Sequence, residues 1–189
     1  MKLKIVALFL SVILFSQNTF AQLCAVLKDA RCGEYHTHAI DDHSNLWATG
    51  DGGSARGLGD IGQVYSLQRV KGLNGNGFLK NIISFDAGWY HSLAVDSNHY
   101  CLSWGGDDSG QLGNGDDGSS NVPIKVHGLN NDANGLRHIV VISAGRSGTH
   151  SLAVDSNGYV YGFGYNGYYV NGGAKVYHMA GGRILYHSN

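Results

Sequence analysis

The chain has 189 residues, room for one ordinary domain with a sizeable core. Thirteen lysines and arginines nearly balance 14 aspartates and glutamates, and no basic run follows Lys4, which argues against a phosphate-tracking nucleic-acid surface. Glycine is the outlier: 29 glycines, one proline and 11 tyrosines suit short strands joined by tight turns, not a disordered tract.

The N-terminus reads as an export signal. Lys2 and Lys4 precede an apolar run over residues 5–10 and 12–15, then a polar stretch and Ala21. A charged start, an apolar middle and small residues before a cleavage point make residues 1–21 a signal peptide, cut after Ala21. The run falls short of the roughly 20 residues a membrane span needs, and no later segment reaches it. The mature chain, residues 22–189, is therefore expected to be secreted or periplasmic and not held in a membrane. Export permits disulfides, and Cys24 and Cys32 could close a short loop. Cys32 and Cys101 also fall at repeat positions that suit buried thiols.

An internal repeat organises the rest. Residues 91–98 (His-Ser-Leu-Ala-Val-Asp-Ser-Asn) recur unchanged as residues 150–157, an offset of 59. A worn copy over residues 32–41 aligns with residues 87–96 at an offset of 55. A β-prone run follows each copy: Leu46–Gly50, Cys101–Gly105 and Val160–Gly164. Apolar strands precede the last two copies at residues 82–85 and 139–142, and others follow at 67–70 and 122–126. The turns between, such as residues 96–99 and 155–158, offer Asn and Gly for left-handed positions. Residues 175–178 are a candidate last strand. Four strands per unit of that length indicate propeller blades, so the predicted fold is all-β: antiparallel blades in repeats over about 25–80, 81–137 and 138–189, the last degenerate.

The best copy carries Ala87-Gly88-Trp89-Tyr90-His91-Ser92, then Ser103-Trp104-Gly105, Gly110-Gln111-Leu112-Gly113 and Val122-Pro123-Ile124-Lys125-Val126. This series resembles the RCC1 (regulator of chromosome condensation) repeat. The first copy keeps Arg56-Gly57-Leu58-Gly59 of the Gly-Gln-Leu-Gly element, and the third has Tyr165-Asn166-Gly167-Tyr168-Tyr169 in its place. The resemblance implies a propeller that in this family closes with seven blades. The mature 168 residues (189 − 21) hold three. That leaves a partial propeller or open arc of three blades, a homodimer that closes a ring, or the remnant of a longer propeller with no function of its own.

Candidate chemistry is sparse. His36 recurs as His91 and His150, which points to a structural imidazole bonding backbone within its blade; Gly88, Gly105, Gly145 and Gly164 are read as structural repeat positions too. His38 replaces the leucines of the other copies and lies near Asp41 and His43, so a metal-assisted hydrolase is the rival reading, although regular Cys/His zinc spacing is absent. Residues 107–118 are acidic and glycine-rich, yet their spacing matches no calcium motif. No nucleophile elbow or dinucleotide fingerprint is present, and no cofactor, metal or enzyme activity is expected. Loops vary while strands repeat, which fits a scaffold that binds an unidentified protein ligand. The candidate binding residues are Trp89, Tyr90, Arg146 and Asp107, each where the copies diverge, with Trp89 expected to be exposed.

Overall fold

The computed structural model describes residues 26–146, 149–165 and 182–184. Among them, three antiparallel sheets of four strands follow one another along the chain. The first is β1 (Leu27–Cys32), β2 (His36–Asp41), β3 (Leu46–Gly50) and β4 (Val64–Arg69). The second is β5 (Ile82–Ala87), β6 (His91–Asp96), β7 (Cys101–Gly105) and β8 (Ser120–Lys125). The third is β9 (Ile139–Ala144), β10 (His150–Asp155), β11 (Val160–Gly164) and β12 (Gly182–Ile184). Each sheet keeps sequence order, β1-β2-β3-β4 and so on, as a meandering blade does. The expected strand at residues 175–178 lies outside the described residues.

The repeated aspartate sets the hairpin after the second strand of every blade. Asp41 Oδ1 accepts from the amides of His43 and Asn45, Asp96 Oδ1 from Asn98 and Tyr100, and Asp155 Oδ1 from Asn157 and Tyr159, all at 2.9 Å. One side chain thus satisfies two turn amides and fixes the register of the strands on either side. The left-handed residue of the turn is Ser44 (φ 59°), His99 (φ 61°) and Gly158 (φ 82°), so the asparagines do not take that role.

The blades meet through two cores. Leu46, Ala48, Leu58, Val64 and Val70 of the first blade pack against Ile82, Phe85, Ala94, Leu102 and Trp104 of the second. Leu93, Val95, Cys101 and Val126 of the second pack against Ile139, Ile142, Ala153, Tyr161 and Phe163. Residues alternating along β6 therefore face opposite neighbours, Ala94 back and Leu93 and Val95 forward, as a strand buried on both sides requires. Each later blade inserts a large ring toward a glycine of the blade before it. A Cβ on Gly57 would lie 2.8 Å from Trp104 Nε1, and one on Gly113 would lie 2.8 Å from Phe163 Cδ2. Both glycines also have positive φ, 71° and 63°, so the turn and the ring each demand a missing side chain.

That equivalence corrects the sequence alignment of the first blade. Gly57 O accepts from Lys71 N as Gly113 O does from His127 N, and Ala55 O accepts from Ser92 as Gln111 O does from Ser151. Ala55-Arg56-Gly57 therefore matches Gln111-Leu112-Gly113, and Arg56 occupies the buried place of Leu112. Its guanidinium is satisfied by Gly50 O, Gly53 O and Asp60. Cys101 is buried as expected, whereas Cys32 is an exposed free thiol. Its counterparts Ala87 and Ala144 are covered by the blade before them, and no described blade precedes β1. The other half of the proposed disulfide, Cys24, lies outside the described residues.

Candidate functional site

The repeated histidines bind across blades, not within them. His36 Nε2 lies 2.9 Å from Ser92 Oγ, and His91 Nε2 lies 2.9 Å from Ser151 Oγ. Each serine hydroxyl donates at 2.9 Å to a carbonyl of the preceding blade, Ala55 O or Gln111 O, so the imidazole N–H is the donor to the serine oxygen. His-Ser is thus a joint, and its two members come from consecutive repeats. His38 adds to the first joint: its Nε2 is 3.0 Å from Ser92 Oγ and 3.2 Å from Ala55 O, and its ring meets Trp104 edge-on.

A serine between two histidines has the composition of an activated nucleophile, but this one is sealed. His38 and Ser92 are fully buried and His36 nearly so, with no face open to a substrate. Burial holds all three imidazoles neutral, lowering His36 to about 3 and His38 and His91 to about 4. The chemistry of this cluster is cohesion.

The metal reading is not assembled either. Among the described residues the grouping that could converge on an ion is Asp41, Asp42 and His43, and it does not include His38. Asp41 is already committed to the amides of His43 and Asn45, the Asn45 side chain and Trp47 Nε1. In the acidic loop, Asp116 Oδ1 accepts from Asn114 Nδ2 and Gly118 N, the behaviour of a turn former.

Strand direction puts the variable loops on one rim. The β1–β2, β5–β6 and β9–β10 turns share it with the long β3–β4 and β7–β8 connections; the uniform aspartate hairpins occupy the other. On the variable rim, Tyr35 and Tyr90 each stand one residue before the joint histidine. Their rings stack with centroids 5.6 Å apart and planes 21° from parallel, and Trp89 stacks on Tyr90 at 5.5 Å and 14°. The three rings make an aromatic ladder across the first two blades. Tyr35 is 48% and Tyr90 46% exposed. A side-chain hydrogen bond with Tyr90 and the nearby Glu34 carboxylate hold the Tyr35 phenol above its usual value.

Trp89 is half-buried, contrary to expectation, because its ring lies against Tyr90 and its backbone N–H donates to Gly145 O of the third blade. Its Nε1 is enclosed without a hydrogen-bond partner among the described residues. Arg146 is exposed on the adjoining turn. Asp107 shares the rim but is fully buried, a second correction: its Oδ1 accepts from Leu112 N at 2.7 Å and shapes the loop from inside. Burial, with Asp116, Asp117 and Asp108 nearby, pushes its carboxyl up to about 7. Sequence reasoning missed Tyr35, which stands one residue before His36 as Tyr90 does before His91. That offset from the joint histidine was the available signal. Gly88, Gly105, Gly145 and Gly164 all sit against joint-histidine backbone or ring.

Two models of the regulator of chromosome condensation (RCC1) repeat match, at residues 98–154 and 82–111. The ultraviolet-B receptor UVR8 of Arabidopsis thaliana is 34% identical over 137 residues, 71% of this chain and 28% of that protein. The probable E3 ubiquitin-protein ligase HERC6 of Homo sapiens is 29% identical over 136 residues, 70% of this chain and 12% of its own length. Yeast RCC1 (Prp20), solved bound to Kap60, superposes with a TM-score of 0.67 at 23% identity, covering 85% of this chain and 37% of that one. Human WBSCR16 gives the same score at 18% identity, over 85% and 39%. The chain therefore spans well under half of these relatives. Its blades are those of an RCC1-type β-propeller, and residues 82–154 carry the RCC1 repeat.

Proposed function

We propose that this chain is an exported protein-binding scaffold whose contact surface is the variable rim, centred on Tyr35, Tyr90 and Trp89, with Arg146 beside them. The observation that carries the reading is the aromatic ladder: stacked, half-exposed rings on loops that differ between blades, above strands that do not. Exposed tyrosine with tryptophan and arginine is the composition of binding hot spots, and rigid stacked rings lose little freedom when a partner covers them. Relatives support a protein ligand by analogy: yeast RCC1 is solved with Kap60, and Prp20p is described with binding to Gsp1p and histones. The sealed serine–histidine cluster favours binding over catalysis, and the near-neutral net charge favours a protein over a nucleic acid. Export rests on residues 1–21 and is tested by N-terminal sequencing of the recovered protein, which should begin at Gln22. A photo-reactive phenylalanine at position 90 should capture one discrete protein, and capture should fall when Trp89→Ala is added. The same probe at Asn98, on the opposite rim, should capture nothing. Equal capture from both rims would refute the assignment.

A further inference from the structure

Tyr35 and Tyr90 meet between two blades whose backbones are held in place on every side. Each precedes a joint histidine, and His36 and His91 are tied to Ser92 and Ser151 of the following blades. Tyr35 O accepts from Asp51 N and Tyr90 O from Gly106 N, both at 2.7 Å. The two turns also pack closely: a Cβ on Gly33 would lie 2.4 Å from Gly88 O. Thr149 stands at the same place in the third blade, so the second joint has no such tyrosine pair.

The rings are near parallel, and the hydrogen bond between their phenols brings the hydroxyl ends together. The Cε carbons beside each hydroxyl therefore face one another, and those are the carbons at which phenoxyl radicals couple. Trp89, stacked on Tyr90, adds a third readily oxidised ring to the row. Both tyrosines are half exposed, so an oxidant in solvent reaches them and the rings have room to turn. The Glu34 carboxylate close to Tyr35 is an acceptor for a phenol proton.

We propose that Tyr35 and Tyr90 form an oxidative modification site, where a peroxidase-class one-electron oxidant joins their Cε carbons into a dityrosine bridge locking the first blade to the second. Each phenol gives up one electron and its hydroxyl proton and becomes a phenoxyl radical. The two radicals pair to form one Cε–Cε bond. The hydrogen on each bonded carbon then moves to the phenol oxygen, which restores both aromatic rings. The two electrons and two protons released reduce one hydrogen peroxide to two waters on the peroxidase. The bridge closes a loop of 55 residues (90 − 35), which restricts the unfolded chain as a disulfide of that span would. The site does not depend on what binds the rim.

Treating the purified chain with a haem peroxidase and limiting hydrogen peroxide, followed by peptide mass spectrometry, tests this. The expected product is a single chain lighter by two hydrogen atoms, with dityrosine fluorescence and a cross-linked peptide pair carrying residues 35 and 90. Its yield should not change with protein concentration, and its melting temperature should rise by roughly 10 °C. Tyr35→Phe and Tyr90→Phe keep the stack and remove one phenol, so each should cut dityrosine at least tenfold with unchanged circular dichroism. Bridges that run between chains, or that join other tyrosines instead, overturn the proposal. Undiminished dityrosine in either phenylalanine variant, or an oxidised chain without a bridge, does the same. A bridged chain that melts where its parent does overturns the locking.

Discussion

His38→Leu separates cohesion from chemistry at the first joint. Leucine is the residue at this position in the other two blades, Leu93 and Leu152, so the surrounding shape already accepts it. Removing the imidazole orphans neither of its main partners: Ser92 keeps His36, and Ala55 O keeps Ser92 Oγ at 2.9 Å and Trp104 Nε1 at 2.8 Å. Replacing a buried polar group by an apolar one of similar size is then close to neutral at pH 7.5, within about 1 kcal/mol. Acid changes the balance. Burial lowers His38 from 6.5 to about 4, so on acidification the unfolded chain takes up its proton first. The contribution of neutral His38 is intact above 6.5 and is lost as pH falls from there toward 4. At pH 5 the loss is about 2 kcal/mol, and the leucine variant escapes it. Urea unfolding at the two pH values should therefore show the variant gaining about 2 kcal/mol on its parent between pH 7.5 and pH 5. A difference that is the same at both pH values would refute the linkage, and a cost above 2 kcal/mol at both would show that His38 holds the joint by bonds leucine cannot replace.

Three further outcomes follow from the same geometry. Asp107→Asn keeps the Oδ1 acceptor for Leu112 N and removes a carboxyl that burial pushes up to about 7. A raised carboxyl loses stability as pH climbs from its unfolded value toward its folded one, so the variant should gain roughly 4 kcal/mol at pH 8 and little at pH 4, read by thermal melts. Gly57→Ala places a Cβ at φ 71° against Trp104 and should cost about 2–4 kcal/mol in denaturant unfolding. Tyr90→Ala removes the centre of the aromatic ladder and should weaken the captured partner by roughly 30-fold with no change in melting temperature, measured by titration calorimetry.

The blades were legible because the sequence repeats itself: eight unchanged residues recur where a strand, its aspartate and its hairpin must recur. Relations between blades were harder to read. The joint histidine looked local because its serine is the next repeat's residue, 56 positions away for His36–Ser92 and 60 for Ser151–His91. Arg56 was displaced by two places because an arginine in a leucine's buried position reads as a loop residue until its carbonyl partners are visible. Cys32 was expected to be buried by analogy with Ala87 and Ala144, but burial on that strand comes from a preceding blade. At the rim, divergence between copies singled out Trp89, Tyr90 and Arg146, which lie together on the turns of the second and third blades. It also brought in Asp107, since a residue can differ between repeats because it shapes its own loop. Tyr35 was missed because the first copy is worn around it, although its place before His36 matches that of Tyr90.

The most direct test of the scaffold reading is amide hydrogen exchange on the chain with and without its captured partner. Protection should appear on the turns at residues 33–35 and 88–90 and near 145–146, leaving the aspartate hairpins at 42–45, 97–100 and 156–159 unchanged. Protection confined to those hairpins, or spread evenly over both rims, would contradict the account.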